Sequence, residues 1–118
     1  MARRILIADD NPIIRKMLCQ MFESEKDYDL CAEARDGAEA IALAIKHKPE
    51  LIILDISMPV MNGVQAAKEL KDLMPEVPII LFSFYADEIN PDHVSADRIV
   101  SKTAASTLME HVRQLLPV

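Results

Sequence analysis

In ELIILDISMP, residues 50–59, four apolar residues, Leu51 to Leu54, run directly into an aspartate, Asp55. A run that is apolar at every position, rather than at every second one, reads as a strand buried on both faces. Working outward, the same design recurs. RILIA (4–8) precedes NPIIRKMLCQMF, whose apolar residues Ile13, Ile14, Met17, Leu18, Met21 and Phe22 fall at helical spacing. Asn11 is placed as its N-cap and Pro12 as its first residue. YDLCAEA (28–34) reads as a second strand, and DGAEAIALAIKH (36–47) as a helix with Asp36 and Glu39 at capping-box spacing. LIILDI leads through SMPVMNG to a helix from about Val64 to Met74. PIILFS (78–83) leads to the polar segment FYADEINPDHVSAD, and RIVS to a helix from about Ala104 to Leu116. Five apolar strands alternating with helices predict an α/β domain: a parallel sheet covered on both faces.

Bulk properties bound the function. A chain of 118 residues is one domain, large enough to bury a core without staples. It contains no apolar run long enough to cross a bilayer and no signal-peptide pattern. Cys19 and Cys31 stand among apolar neighbours and read as core packing in a reduced, cytoplasmic protein. A net charge of −6 argues against direct nucleic-acid binding by this domain. Gly37 and Gly63 are the only glycines and form no phosphate-cradling loop.

Chemistry gathers at the C-terminal ends of the strands: Asp9-Asp10 after the first, Asp55 after the third, Ser83 after the fourth, Lys102 after the fifth. Open parallel sheets bind ligands at that rim. Carboxylates gathered there repel by roughly 4 kcal/mol per ionised pair at about 4 Å and an effective dielectric near 20. Lys102 offsets only one charge, so a divalent ion is the natural remainder, and all-oxygen ligation suits Mg²⁺ or Mn²⁺. His47, His93 and His111 are scattered and show no ligand spacing, which argues against zinc. The set suits phosphoryl chemistry, with Asp55 as nucleophile, a metal and an ammonium balancing the phosphoryl oxygens, and a hydroxyl holding one of them.

At this point the chain resembles the response-regulator receiver domains of two-component signalling over essentially its whole length. The resemblance rests on ILIADDNP (5–12), LIILDISMPVMNG (51–63), LFS (81–83) and VSK (100–102). It implies a flavodoxin-like, three-layer fold with sheet order 2-1-3-4-5. It implies that Asp55 accepts a phosphoryl group from a sensor histidine kinase or phosphotransfer protein, with Mg²⁺ held by Asp10, Asp55 and the Ser57 backbone carbonyl, and by Asp9 through water. Lys102 pairs with Asp55 and then with the phosphoryl oxygens, and Ser83 swings its hydroxyl onto them. Gly63 supplies backbone freedom to the loop after Asp55. Implied partners downstream are a protein or an effector domain, with room for a phosphorylation-dependent homodimer; the EARDGAEAI stretch is closest to receivers that precede a DNA-binding helix-turn-helix, and none is present in these residues.

Departures fall in the output half. Phe84 follows the switch hydroxyl where a small residue is usual, Ile99 replaces the usual aromatic three residues before the lysine, and Thr103 replaces proline after it. Only 18 residues separate Ser83 from Lys102, with Pro91 among them, so the fourth helix is expected to be short or distorted. Two other function classes compete. A haloacid-dehalogenase-like phosphatase needs a second aspartate two residues after the nucleophile, where this chain has Ser57, a poor general acid. A phosphorylation-independent interaction or dimerisation module is the alternative that the output half sustains.

Overall fold

A computed structural model describes residues 1–118. Five strands, β1 (Arg3–Ala8), β2 (Tyr28–Ala34), β3 (Leu51–Leu54), β4 (Ile79–Ser83) and β5 (Arg98–Ser101), form one sheet. Every pairing is parallel, and the order is β2-β1-β3-β4-β5, as expected. The helices are α1 (Pro12–Glu23), α2 (Gly37–His47), α3 (Gly63–Leu73) and α4 (Leu108–Leu115).

Strand alternation sorts the core into two layers. Leu6, Ala8, Ile52, Leu54, Ile79 and Leu81 face α2 and α3, which present Ala40, Ala44, Ala66, Ala67 and Leu70. Small helix residues there let the helices sit close to the sheet. Ile5, Ile7, Leu51, Ile53, Ile80, Phe82 and Val100 face α1 and α4, which present Leu18, Phe22, Leu108 and Val112. Each fully buried aliphatic or aromatic side chain contributes roughly 1.5–3 kcal/mol. Met58 is buried in the first layer, with Met61 and Met74 packed against it. Cys31 packs on that layer and Cys19 on the other. Burial, reinforced by Glu33, pushes the Cys19 thiol up to about 11.

Helix starts follow local chemistry. Asn11 Oδ1 accepts from the Ile13 amide at 2.8 Å, with Pro12 at the first position. Asp36 caps α2 through the Glu39 amide, but the expected box is only half made: Glu39 Oε1 accepts from the Arg35 amide instead. The complete box belongs to α3, where Asn62 and Gln65 exchange side-chain and backbone bonds.

Between β4 and β5 no α-helix forms. Two single 3-10 turns, Ala86–Glu88 and Pro91–His93, replace it. Pro91 starts the second turn, Asn90 caps that turn through the Asp92 amide, and the residue before a proline is held extended. The last helix is also shorter than 104–116. A 3-10 run, Lys102–Thr107, precedes α4, and Ala104 leaves helical geometry at φ −116°, ψ 41°. Hydroxyls explain this: Ser101 Oγ takes the Thr103 amide, and Thr107 Oγ1 donates to the Ala104 carbonyl, competing with regular helix bonds.

Candidate functional site

The sheet delivers three carboxylates and one ammonium to its C-terminal rim. β1 pairs Ala8 with Leu54 of β3, so the next residues, Asp9 and Asp55, emerge side by side. The Asp55 amide donates to the Ala8 carbonyl, and the Asp9 amide to Ala34, extending the ladder one step beyond the strands. Asp9, Asp10 and Asp55 each bring a carboxylate oxygen within 4.8 Å of the others. Asp9 and Asp55 are buried and Asp10 is exposed.

Lys102 reaches into this cluster with its side chain 5% exposed. Its Nζ lies 2.6 Å from Asp9 Oδ2 and 3.3 Å from Asp55 Oδ1. The shorter contact is thus to Asp9, where the sequence pointed to Asp55, and one ammonium spans both. Asp9 Oδ2 lies off the hydrogen-bonding direction, so that contact is ionic in character. Asp9 Oδ1 accepts from the Asn11 amide, and Asp55 Oδ1 from the Ile56 amide at 2.8 Å. Burial, then the Asp9 charge, push the Asp55 carboxyl up to about 6, against the opposing pull of Lys102 and the Ile56 amide. One cation for three acids leaves excess negative charge, and a hard divalent ion suits such an all-oxygen donor set.

The loop after Asp55 is held from both sides by the two glycines of the chain. The Gly63 amide donates to the Ile56 carbonyl, and the Gly37 amide to the Met61 carbonyl, at 2.9 Å each. A Cβ on Gly63 would stand 2.0 Å from the Asp55 carbonyl oxygen, and one on Gly37 would stand 2.4 Å from the Met61 oxygen. Gly63 therefore serves close approach rather than backbone freedom, since no glycine has positive φ. The left-handed position in this loop is Val60, at φ 67°. Ser57 is exposed and its carbonyl accepts no backbone hydrogen bond.

Ser83 is buried at the end of β4, and its hydroxyl accepts the Tyr85 amide at 3.0 Å. It makes no hydrogen bond to the acids. Phe84 is 58% exposed, with its ring centroid 5.4 Å from Lys102 Nζ. Ile99 is half-buried against the layer under α2 and α3. Sequence reasoning missed Arg15, whose guanidinium donates to the Asp9 carbonyl at 2.7 Å and reaches Glu33 at 3.8 Å. Its only signal was a cation one helical turn and a half after the acid pair. The cavities of the molecule lie elsewhere; the one between α1 and β2, about 300 Å³, is lined by Cys19, Phe22, Glu23, Asp29, Leu30 and Glu33.

A rim of acids and lysine on a doubly wound parallel sheet defines a class of phosphoryl-handling α/β domains. Within that class, the chain belongs to the response regulator receiver domain family, whose model matches residues 5–113. It is 45% identical over 83 residues to the transcriptional regulatory protein PdtaR of Mycobacterium tuberculosis, covering 69% of this chain and 40% of that protein. It is 30% identical over 114 residues to the transcriptional regulatory protein DegU of Brevibacillus brevis, covering 93% of this chain and 48% of that one. The chain thus spans less than half the length of these curated relatives. Among solved structures, the response regulator domain of Thermotoga maritima CheB superposes with a TM-score of 0.89 at 28% identity, over 100% of this chain and 98% of that one. The response regulator TrrA of Thermotoga maritima, in complex with Mg²⁺-BeF, gives 0.88 at 33% identity, over 97% and 99%.

Proposed function

We propose that this domain is a phosphoacceptor switch, with Asp55 as the acceptor. The observation that carries the reading is Lys102 Nζ placed between two buried carboxylates, 2.6 Å from Asp9 and 3.3 Å from Asp55, on the rim that also holds Asp10. In the transfer, an Asp55 oxygen bonds to phosphorus as the donor's bond to phosphorus breaks and its electron pair leaves with the donor. The product is an acyl phosphate. Hydrolysis reverses the charge state: a water oxygen bonds to phosphorus, the bond to Asp55 breaks, and the carboxylate and inorganic phosphate are restored.

Asp9, Asp10, Asp55 and the free Ser57 carbonyl would hold a divalent cation, Mg²⁺ by the hardness of the donors. Bound there, the ion supplies positive charge against the phosphoryl oxygens. Lys102 supplies the second positive charge and leaves the carboxylates for the phosphoryl group. Ser83 turns its hydroxyl from the Tyr85 amide toward that group, dragging the segment after β4. The donor is a phosphohistidine on a sensor kinase or phosphotransfer protein, and the product state is read by a partner protein or an effector domain. No helix is long and apolar enough to cross a membrane.

Intact mass after incubation with a small acyl phosphate tests the reading. A single phosphoryl adduct is expected with Mg²⁺, none with chelator, and none in Asp55→Asn. The phosphorylation-independent interaction module is the second reading, favoured by Phe84 over Lys102 and by Ile99 in place of an aromatic. It gains if Mg²⁺ binds and no adduct forms under any donor.

A further inference from the structure

β4 and β5 run in register to their ends, where Ser83 pairs with Ser101. Phe82 and Val100 are register partners in the layer under α1 and α4. Just past the Ser83–Ser101 pair stand Phe84, in a turn, and Lys102, the first residue of the 3-10 run, so the two side chains leave the sheet as neighbours. Lys102 Nζ lies 5.4 Å from the Phe84 ring centroid, inside the roughly 6 Å over which an aromatic face attracts a cation. The two side chains differ sharply in exposure: Phe84 is 58% exposed, whereas Lys102 is 5% exposed. An outward ring over an inward ammonium is a cover. Phe84 and Tyr85 are also the only exposed aromatic residues, since Phe22, Tyr28 and Phe82 are buried in the core.

We propose that Phe84 is a positioning residue for phosphoryl transfer: its ring holds the Lys102 ammonium between Asp9 and Asp55, shields it from water, and gives it up when phosphoryl oxygens arrive. The inference rests on the phosphoacceptor reading of Asp55. In the unmodified protein the ammonium has three partners, two carboxylates and a ring face. Once Asp55 carries a phosphoryl group, its oxygens are stronger partners for the ammonium than a ring quadrupole. Lys102 moves to them and Phe84 is released, together with the adjacent Tyr85, whose amide is tied to the Ser83 hydroxyl. Entry of a donor and entry of the hydrolytic water both require the ring to move. Its removal therefore speeds formation of the acyl phosphate and its loss.

The test compares wild type with Phe84→Tyr, Phe84→Leu and Phe84→Ala; the exposure of this position leaves the fold intact, checked by far-UV circular dichroism. Phosphorylation by acetyl phosphate with Mg²⁺, and subsequent hydrolysis, are followed by intact mass. In parallel, lysine-labelled NMR reports the Lys102 ε-methylene resonance, assigned by its absence from Lys102→Arg. Wild type and Phe84→Tyr are expected to show that resonance shifted upfield by the ring current, and to lose the shift on phosphorylation. Phe84→Leu and Phe84→Ala are expected to lack the shift and to run both rates roughly tenfold faster. A Phe84→Leu protein matching wild type in both rates would show that bulk alone matters and overturn the proposal. So would a wild-type resonance with no ring-current shift, or one that phosphorylation leaves in place. Adducts forming at equal rates in all four proteins overturn the role of Phe84 alone, whereas no adduct in any of them removes the phosphoacceptor reading and the positioning role with it.

Discussion

Asp55→Asn is expected to make the metal-free protein more stable, not less, and to do so only where Asp55 is ionised. The Asp55 carboxyl is 5% exposed and titrates at about 6 rather than at 3.8. Because the folded value is raised, the folded state binds the proton more readily than the unfolded chain. Stability linked to this group is present in full below about pH 4 and is lost as pH rises through about 6. The rise from 3.8 to about 6, at 1.36 kcal/mol per pK unit, gives a loss of about 3 kcal/mol above pH 7 that fades as pH falls toward 4. Asparagine carries no charge at any of these values, and Lys102 keeps Asp9. Urea unfolding in chelator, between pH 4 and pH 8, should therefore show the variant gaining on wild type by about 3 kcal/mol at the upper end and converging with it at the lower. Mg²⁺ should narrow the gap by stabilising the wild type, by about 1.4 kcal/mol at ten times its dissociation constant. A variant no more stable than wild type at pH 7.5, or a gain independent of pH, would refute the charge accounting of the site.

Lys102→Met leaves Asp9 and Asp55 buried without a cation; a loss of about 3–5 kcal/mol at pH 7.5 in chelator is expected, recovered in part by Mg²⁺ or acid, as read from unfolding midpoints. Gly63→Ala places a Cβ 2.0 Å from the Asp55 carbonyl oxygen, so the backbone must shift; calorimetric Mg²⁺ affinity should fall at least tenfold, with about 1–3 kcal/mol of stability lost. Val60→Gly relieves a β-branched residue from left-handed backbone at φ 67° on an exposed loop; a gain of about 1 kcal/mol in urea is expected, and a loss of that size would contradict the strain.

The rim was legible because strand ends are legible. Continuous apolar runs such as Leu51–Leu54 mark strands buried on both faces, and in a parallel sheet all their C-terminal ends meet, so Asp9, Asp10, Asp55, Ser83 and Lys102 could be gathered from far apart. What escaped depends on register and on distances shorter than a side chain. Phe84 meets Lys102 because β4 and β5 pair Phe82 with Val100, which no apolar pattern specifies. Gly63 looked like a source of backbone freedom, whereas the strain is carried by Val60 and the glycine makes room for a carbonyl. The segment after β4 was expected to be distorted, and the pair of 3-10 turns follows from Asn90 and Pro91; hydroxyls at Ser101 and Thr107 shortened the last helix, where spacing alone predicted a regular one.

The central claim is that Asp55 is the phosphorylated atom site, and borohydride reduction tests it most directly. An acyl phosphate is reduced to an alcohol where a free carboxylate is not, so peptide mass mapping after acetyl phosphate, Mg²⁺ and borohydride should show aspartate converted to homoserine at position 55 alone. Conversion at position 9 or 10 instead, or a stable adduct with no converted aspartate, would contradict the account.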